Sequence, residues 1–313
     1  VGHIKAVFSE HRSLMLGVTA GVILHALVAR PPQIATQLAL LAAAVAVVGL
    51  PHGALDHLIG REILRPHFGR SWWLPFGLLY LGLASLMASV WFFAPVPALV
   101  VFLALSAGHF GWDDPLWIDT GGRLWSGIER LSVGSLPIVL PTLLYPVEVT
   151  QIFGWMMAGR RPLDADVIAA LAGLAAAVVL PVAGIRFVLL LRSGSAARLA
   201  SAELAAVALL HLVAPPLIAF LTYFCGWHSV RHALELADGL SPDNLKDGVQ
   251  RFLTAAVPMT LAAAAGATAV AWILRLAAVP PVEVLSTVIF VGLSVLTVPH
   301  MAMMGLSRLS RGR

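Results

Sequence analysis

The sequence predicts an all-α fold: a polytopic transmembrane helical bundle of about eight spans, forming a single integral membrane domain over residues 1–313. Three observations predict it. The chain is 59% hydrophobic and only 12% charged, whereas a soluble domain is about a quarter charged. Apolar runs recur along its whole length, close to the roughly 20 residues that a spanning helix needs. Its basic residues gather in short connections and in the C-terminal tail, as membrane orientation requires. The length accommodates about seven to nine short-looped spans and leaves no room for a large soluble domain.

Other classes are excluded early. The net charge of +4 sits in inter-helix loops, so no nucleic-acid partner is expected; membrane lipid is. The single cysteine, Cys225, rules out an intrachain disulfide and a Cys-x-x-Cys pair. Residues 1–12 do not form the basic region of a cleavable signal, and no lipidation motif is evident.

Each segment follows in order. Residues 13–29 are apolar but short and carry His25, which reads as a tilted or partial span. Arg30-Pro31-Pro32 ends it. Residues 33–50 lead into Pro51-His52-Gly53-Ala54-Leu55-Asp56-His57. Arg61, Arg65 and Arg70 then mark a basic, cytoplasm-facing loop. Residues 71–93 span, with Trp72, Trp73 and Trp91 as interfacial anchors. Pro95 and Pro97 turn the chain into residues 98–108, which end in His109-Phe110-Gly111-Trp112-Asp113-Asp114. Residues 115–128 read as a mixed loop. Pro137, Pro141 and Pro146 predict a kinked or broken helix over 131–147.

Arg160 and Arg161 mark another loop. Residues 167–191 form a plain span whose alanines favour close helix packing, and 192–198 a short basic loop. Residues 204–227 carry His211 and are interrupted by Pro215-Pro216. They end in Tyr223-Phe224-Cys225-Gly226-Trp227-His228-Ser229-Val230-Arg231-His232. A polar connection follows, with Glu235, Asp238, Asp243, Lys246 and Asp247. Residues 252–276 span again. The last span starts at Pro280-Pro281 and ends in Pro299-His300-Met301, before the basic tail from Arg308. A basic loop and a basic tail on one side require an even number of crossings between them. Eight crossings with one re-entrant or broken segment satisfy that.

The eleven histidines are the informative residues. His3, His11 and His67 have polar or terminal surroundings and read as surface residues. His25 and His211 look buried and suited to hydrogen bonds across helices. His52, His57, His109, His228, His232 and His300 all end apolar runs, beside Gly, Pro, Trp or Asp. Polar groups there are costly in hydrocarbon unless paired. His228 and His232 are four residues apart, so a continuous helix puts them on one face. Neutral imidazoles suit Fe, Zn or Cu. Asp56, Asp113, Asp114 and Glu235 lie close enough in sequence to ligate directly or to hold the far ring nitrogen of a ligand histidine. A two-histidine, one-carboxylate site and haem ligation by two histidines both stay open at this point. No His-Glu-x-x-His motif and no phosphate-binding glycine loop occurs.

The four motifs around His52, His109, His228–His232 and His300 together resemble the bacteriorhodopsin-related-protein-like family of membrane β-carotene 15,15'-dioxygenases, over about residues 52–300. The resemblance implies a multi-pass protein of the cell inner (plasma) membrane with an Fe(II) cofactor. It implies oxidative central cleavage of all-trans-β-carotene by O2, giving two all-trans-retinal. It assigns the iron to His52, His109, His228 and His232, with Asp56 and Asp113 as supporting catalytic residues. His57 and His300 are further site residues. A retinal-binding rhodopsin is the implied downstream partner. Phe110, Trp112, Tyr223, Phe224 and Trp227 are the expected substrate-binding residues. Two alternatives stand beside this reading. One is a different histidine-rich membrane metalloenzyme, a carotenoid or lipid hydroxylase or desaturase, although no His-x-x-His-His clusters are repeated here. The other is a non-enzymatic carotenoid- or retinal-binding membrane protein.

Overall fold

A computed structural model describes residues 2–157 and 163–311. The expected loop at Arg160 and Arg161 and the side chain of His3 lie outside the described residues. Among the described residues the regular structure is entirely helical, and nine helices are long and apolar enough to cross a membrane.

Helix α1 (Gly2–Val28) is a full span rather than the short, partial one expected. Its helix continues upstream because His11 and Arg12 are buried against the rest of the bundle. Helix α2 (Ile34–Ala44) passes through a π-helical stretch (Val45–Gly49) into α3 (Leu50–Gly53). Pro51 has no N–H to donate, and the Leu50 N–H bonds back five residues to the Val45 carbonyl. The segment expected as a basic loop is instead helix α4 (Asp56–Phe68). It closes on Gly69, whose φ of 54° lies in the left-handed region that glycine tolerates.

Helices α5 (Trp73–Phe93) and α6 (Pro95–Trp112) are joined by a turn at Ala94, with Pro95 in the first turn of α6. Helix α7 (Arg123–Leu144) runs through Pro137 and Pro141. The expected break falls only at Tyr145, where α8 (Pro146–Met156) begins. Helix α9 (Ala165–Arg192) is capped by the Asp164 carboxylate, which accepts from the Asp166 and Val167 N–H groups.

The apolar run 204–227 divides between two elements. Helix α10 (Ser195–Val213) stops before Pro215-Pro216. A second helix then runs through α11 (Pro216–Leu221), a π-helical stretch (Thr222–Ser229) and α12 (Val230–Leu240). Helix α13 (Leu245–Leu276) is capped by Asn244. The last helix combines α14 (Pro281–Ser286), a π-helical stretch (Thr287–Val291) and α15 (Gly292–Arg311).

The largest core cluster joins Leu38, Leu41 and Val45 to Phe102, Phe110, Phe224 and Phe290, which come from four separate helices. Helices α6 and α7 meet at glycine: a methyl on Gly134 would collide with the Ala107 carbonyl and the Gly111 backbone. Helices α7 and α9 are tied by a buried ion pair, Glu129 to Arg186 at 3.1 Å. Leucines and valines of α5, α9 and α13 stay exposed, including Leu78, Leu81, Leu174, Leu261 and Ile273. In a spanning bundle these face lipid.

Candidate metal centre

Four helices bring histidines to one place. The helix 34–53 carries His52 near its end, α6 carries His109, the helix 216–240 carries His228 and His232, and α15 carries His300. All five are buried. The ring of His52 lies 5.5 Å from that of His228, 5.8 Å from His232 and 5.7 Å from His300, between centroids. The His228 and His232 rings stack within 9° of parallel, as residues one turn apart on one face do.

One ring nitrogen from each of His52, His109 and His300 falls within 4.8 Å of the others, a cluster able to coordinate a metal ion. The His109 and His228 Nε2 atoms are 2.9 Å apart. Two nitrogens bonded to one ion at about 2.1 Å each, near a right angle, sit about 3.0 Å apart.

The outer nitrogens are held by oxygens. His52 Nδ1 is bonded to the Gly49 carbonyl, at the end of the π-helical stretch. His300 Nδ1 donates to Asp56 Oδ1 at 2.8 Å, and the Tyr80 hydroxyl donates to Asp56 Oδ2 at 3.1 Å. His109 Nδ1 is 2.5 Å from Asp113 Oδ2. Arg308 of α15 pairs with the other Asp113 oxygen. An oxygen at Nδ1 fixes the tautomer and turns the Nε2 lone pair inward, as supported metal ligands require.

Several inward atoms are orphans. His300 Nε2 and both His232 ring nitrogens are buried without a hydrogen-bond partner. Glu235 approaches His232 Nδ1 only to 3.7 Å and is half-exposed. Buried polar atoms left unpaired are costly. A set of neutral imidazoles with unpaired nitrogens fits a divalent metal such as Fe(II).

Beside the cluster lies a mostly apolar cavity of about 440 Å³. His52, His109, His300, Asp56 and His57 border it, and Phe76, Tyr80, Leu81, Met259 and Leu296 continue its wall. Phe110 and Phe224 also line it. Trp112, Tyr223 and Trp227 do not: Trp112 is exposed, while Tyr223 and Trp227 line a smaller, more polar pocket around Arg231. The Trp227 indole donates to Thr19 at 2.9 Å. His57 lines the cavity outside the ring cluster, with Nδ1 donating to the Ala54 carbonyl at 2.9 Å.

Some expectations are corrected. His11, expected at the surface, is buried, and its Nε2 donates to the Gly226 carbonyl at 3.0 Å. Its sequence neighbours are polar, but the helix packs it edge-on against Trp227. His25, expected to be buried, is exposed on α1. His211 is buried as expected, but its Nδ1 donates within its own helix, to Val207 at 2.8 Å. Asp114 turns away from the centre to Arg231, 3.1 Å away.

Four supporting residues escaped sequence reasoning: Tyr80, Arg308, and the ion pair of buried Arg231 with Glu203, 2.7 Å apart. Arg231 stands inside the histidine motif and Glu203 at the edge of an apolar run. A lone charge in such a place was the signal available to find them. Asp113, past the end of α6, is opposed by burial. His109 and the Arg308 guanidinium outweigh that and hold its carboxyl well below the usual range.

Buried imidazoles facing one point inside a bundle of spanning helices define a multi-spanning membrane protein with a histidine cluster able to coordinate a metal ion. More specifically, the chain belongs to the beta-carotene 15,15'-dioxygenase family, which matches it over residues 43–307. It is 33% identical over 291 residues to the probable beta-carotene 15,15'-dioxygenase Blh of Halobacterium salinarum, covering 84% of this chain and 81% of the relative. It is 28% identical over 270 residues to the beta-carotene 15,15'-dioxygenase of uncultured marine bacterium 66A03, covering 83% and 90%. No solved structure matches.

Proposed function

We propose that the protein cleaves all-trans-β-carotene at its central 15,15' double bond with O2, giving two all-trans-retinal, at a non-haem Fe(II). The observation that carries this reading is the convergence of His52, His109 and His300 on the border of an apolar cavity, in a chain of this family. His228 and His232 complete the proposed ligand set, from a helix that places both rings against His52. Bound there, ferrous iron supplies a coordination position for O2 and the electrons that activate it.

The chain's own residues do the rest. Asp56 and Asp113 hold His300 and His109 in orientation. Phe110 and Phe224, with Leu81 and Met259, give the polyene an apolar bed and keep water from the reacting bond. Holding that bond beside the centre is the positioning contribution to rate. A hydrocarbon substrate dissolves in the bilayer of the cell inner membrane and reaches the cavity from there. A rhodopsin-type protein is the fitting consumer of the retinal.

Detergent-purified protein loaded with Fe(II) and given β-carotene in air should yield retinal as the main product. Stable carotenoid binding without product, in an iron-replete sample, would replace the enzyme with a carrier. Hydroxylated carotenoid with two tightly held irons would replace it with a hydroxylase.

A further inference from the structure

The cavity at the histidines has an apolar neighbour. A second cavity of about 90 Å³ lies behind a wall that both share, formed by Phe102, Ser106, Phe110 and Phe220. Ile138 and Pro141 of α7 and Ile152 of α8 stand on its far side.

We propose that this second cavity is the subsite for the far half of a long apolar substrate, while the histidine-side cavity holds the half nearer the entrance. The proposal rests on the central-cleavage reading and says where each arm of the molecule lies.

A chain cut at its middle must extend on both sides of the reacting bond. The larger cavity provides for one side. From the histidines it runs toward Phe76 and Leu81 of α5 and Met259 and Ala262 of α13, where Leu81, Met259 and Ala262 are exposed. Its volume lies toward the lower end of the roughly 300–1,000 Å³ that drug-sized ligands occupy, and a full-length carotenoid is longer than such a ligand.

The shared wall stands level with the centre. Ser106 and Phe110 flank His109 on α6, and the Phe110 ring lies 5.2 Å from that of His228. Phe220 stacks on Phe224 at 5.2 Å, and Phe224 meets His52 at 5.7 Å. Three of the four wall residues are phenylalanines, and no ion pair closes it, so rotation of Phe110 and Phe220 joins the two spaces. As it stands the second cavity holds only a fragment of the far arm; ring rotation adds the volume of the wall.

Its chemistry suits hydrocarbon. No charged residue lines it. Thr142 already donates its hydroxyl to the Ile138 carbonyl at 2.6 Å. A substrate whose far ring carries hydroxyl groups would leave them unpaired there, at a cost in binding.

The test compares two substrates on one protein. Iron-loaded wild type, Ile138→Phe and Ile138→Trp are each given β-carotene and a truncated apocarotenoid that keeps the central double bond but lacks one end ring. Iron content is measured on each. The graded pair guards against a variant that fails to fold. With iron retained, the ratio of kcat/KM for β-carotene to that for the truncated substrate should fall about tenfold or more, further for Trp than for Phe. An unchanged ratio in both variants, with the wild type active, overturns the subsite and leaves the central-cleavage reading standing. A wild type that makes no retinal from either substrate overturns both.

Discussion

Each imidazole at the centre has two nitrogens to account for, and the accounting separates supported ligands from unsupported ones. His300 is the best supported, with Asp56 on Nδ1 and an orphan Nε2. Asp56→Asn should leave the fold intact and weaken iron binding by about 10–100-fold, the usual effect of losing such an outer partner. Tyr80→Phe, which removes only the 3.1 Å bond to Asp56, should weaken it less. An Fe(II) titration on the purified variants orders the three proteins. His232 has neither nitrogen paired, so its fate depends most on metal. His228→Ala and His232→Ala should each lose most bound iron; full occupancy in both would leave His52, His109 and His300 as the ligands. On acidification the carboxylate of Asp113 should not be the first group to fail. Its folded-state pKa is depressed, so its contribution persists as pH falls through the ordinary carboxylate range and is lost only below it. An Asp113→Asn variant should bind iron more weakly, as loss of an outer partner does, and release it at a higher pH than the wild type, because protons compete for the ligand imidazoles. Much of this scale was legible in the chain: histidines ending apolar runs are conspicuous because hydrocarbon penalises them. The burial of His11 was not, since it depends on Gly226 and Trp227, which lie more than 200 residues away.

At the scale of the helix, the three π-helical stretches among the described residues all lie on helices that deliver histidines. Val45–Gly49 ends three residues before His52, Thr222–Ser229 contains His228, and Thr287–Val291 precedes His300 on the last helix. A π-turn advances the helix by one extra residue and shifts the facing of everything after it. The apolar pattern could announce the helices and the Pro-Pro breaks, but not these shifts, which follow from how neighbouring helices pack. The same blindness turned the basic connection at 61–70 from a loop into a helix, because arginines say where a segment faces and not how its backbone runs. Helix contact also sets the position of His109. Gly111 follows it by two residues, and a side chain there would strike the Arg130 carbonyl of α7. Gly134→Ala, on α7, touches no histidine. Its added methyl should force α6 and α7 apart, cost about 1–3 kcal/mol as overpacking does, and lower iron affinity by moving His109. A variant of wild-type stability and wild-type iron affinity would show that the α6–α7 spacing does not set the centre.

At the scale of the whole molecule, the centre closes the bundle. Its histidines come from the second apolar segment, α6, the helix 216–240 that follows the Pro-Pro break and the last helix, parts of the chain more than 240 residues apart between His52 and His300. No single helix contributes more than two of them, so the assembled bundle presents the site and the separate helices do not. Metal that binds only the assembled form must stabilise it, by about 2.7 kcal/mol when free metal exceeds Kd a hundredfold. The unpaired nitrogens of His232 and His300 make the metal-free bundle the weaker state, because their burial is then uncompensated. Thermal unfolding of detergent-solubilised protein should therefore move to higher temperature as Fe(II) is added, rising with the logarithm of its concentration. A chelator should reverse the shift. His300→Ala should flatten the response by weakening binding, and it leaves the buried Asp56 carboxylate without its imidazole partner, so its midpoint without iron should fall below that of the chelated wild type. A wild-type midpoint indifferent to iron and chelator would mean that the histidines do not join these helices through a shared ion.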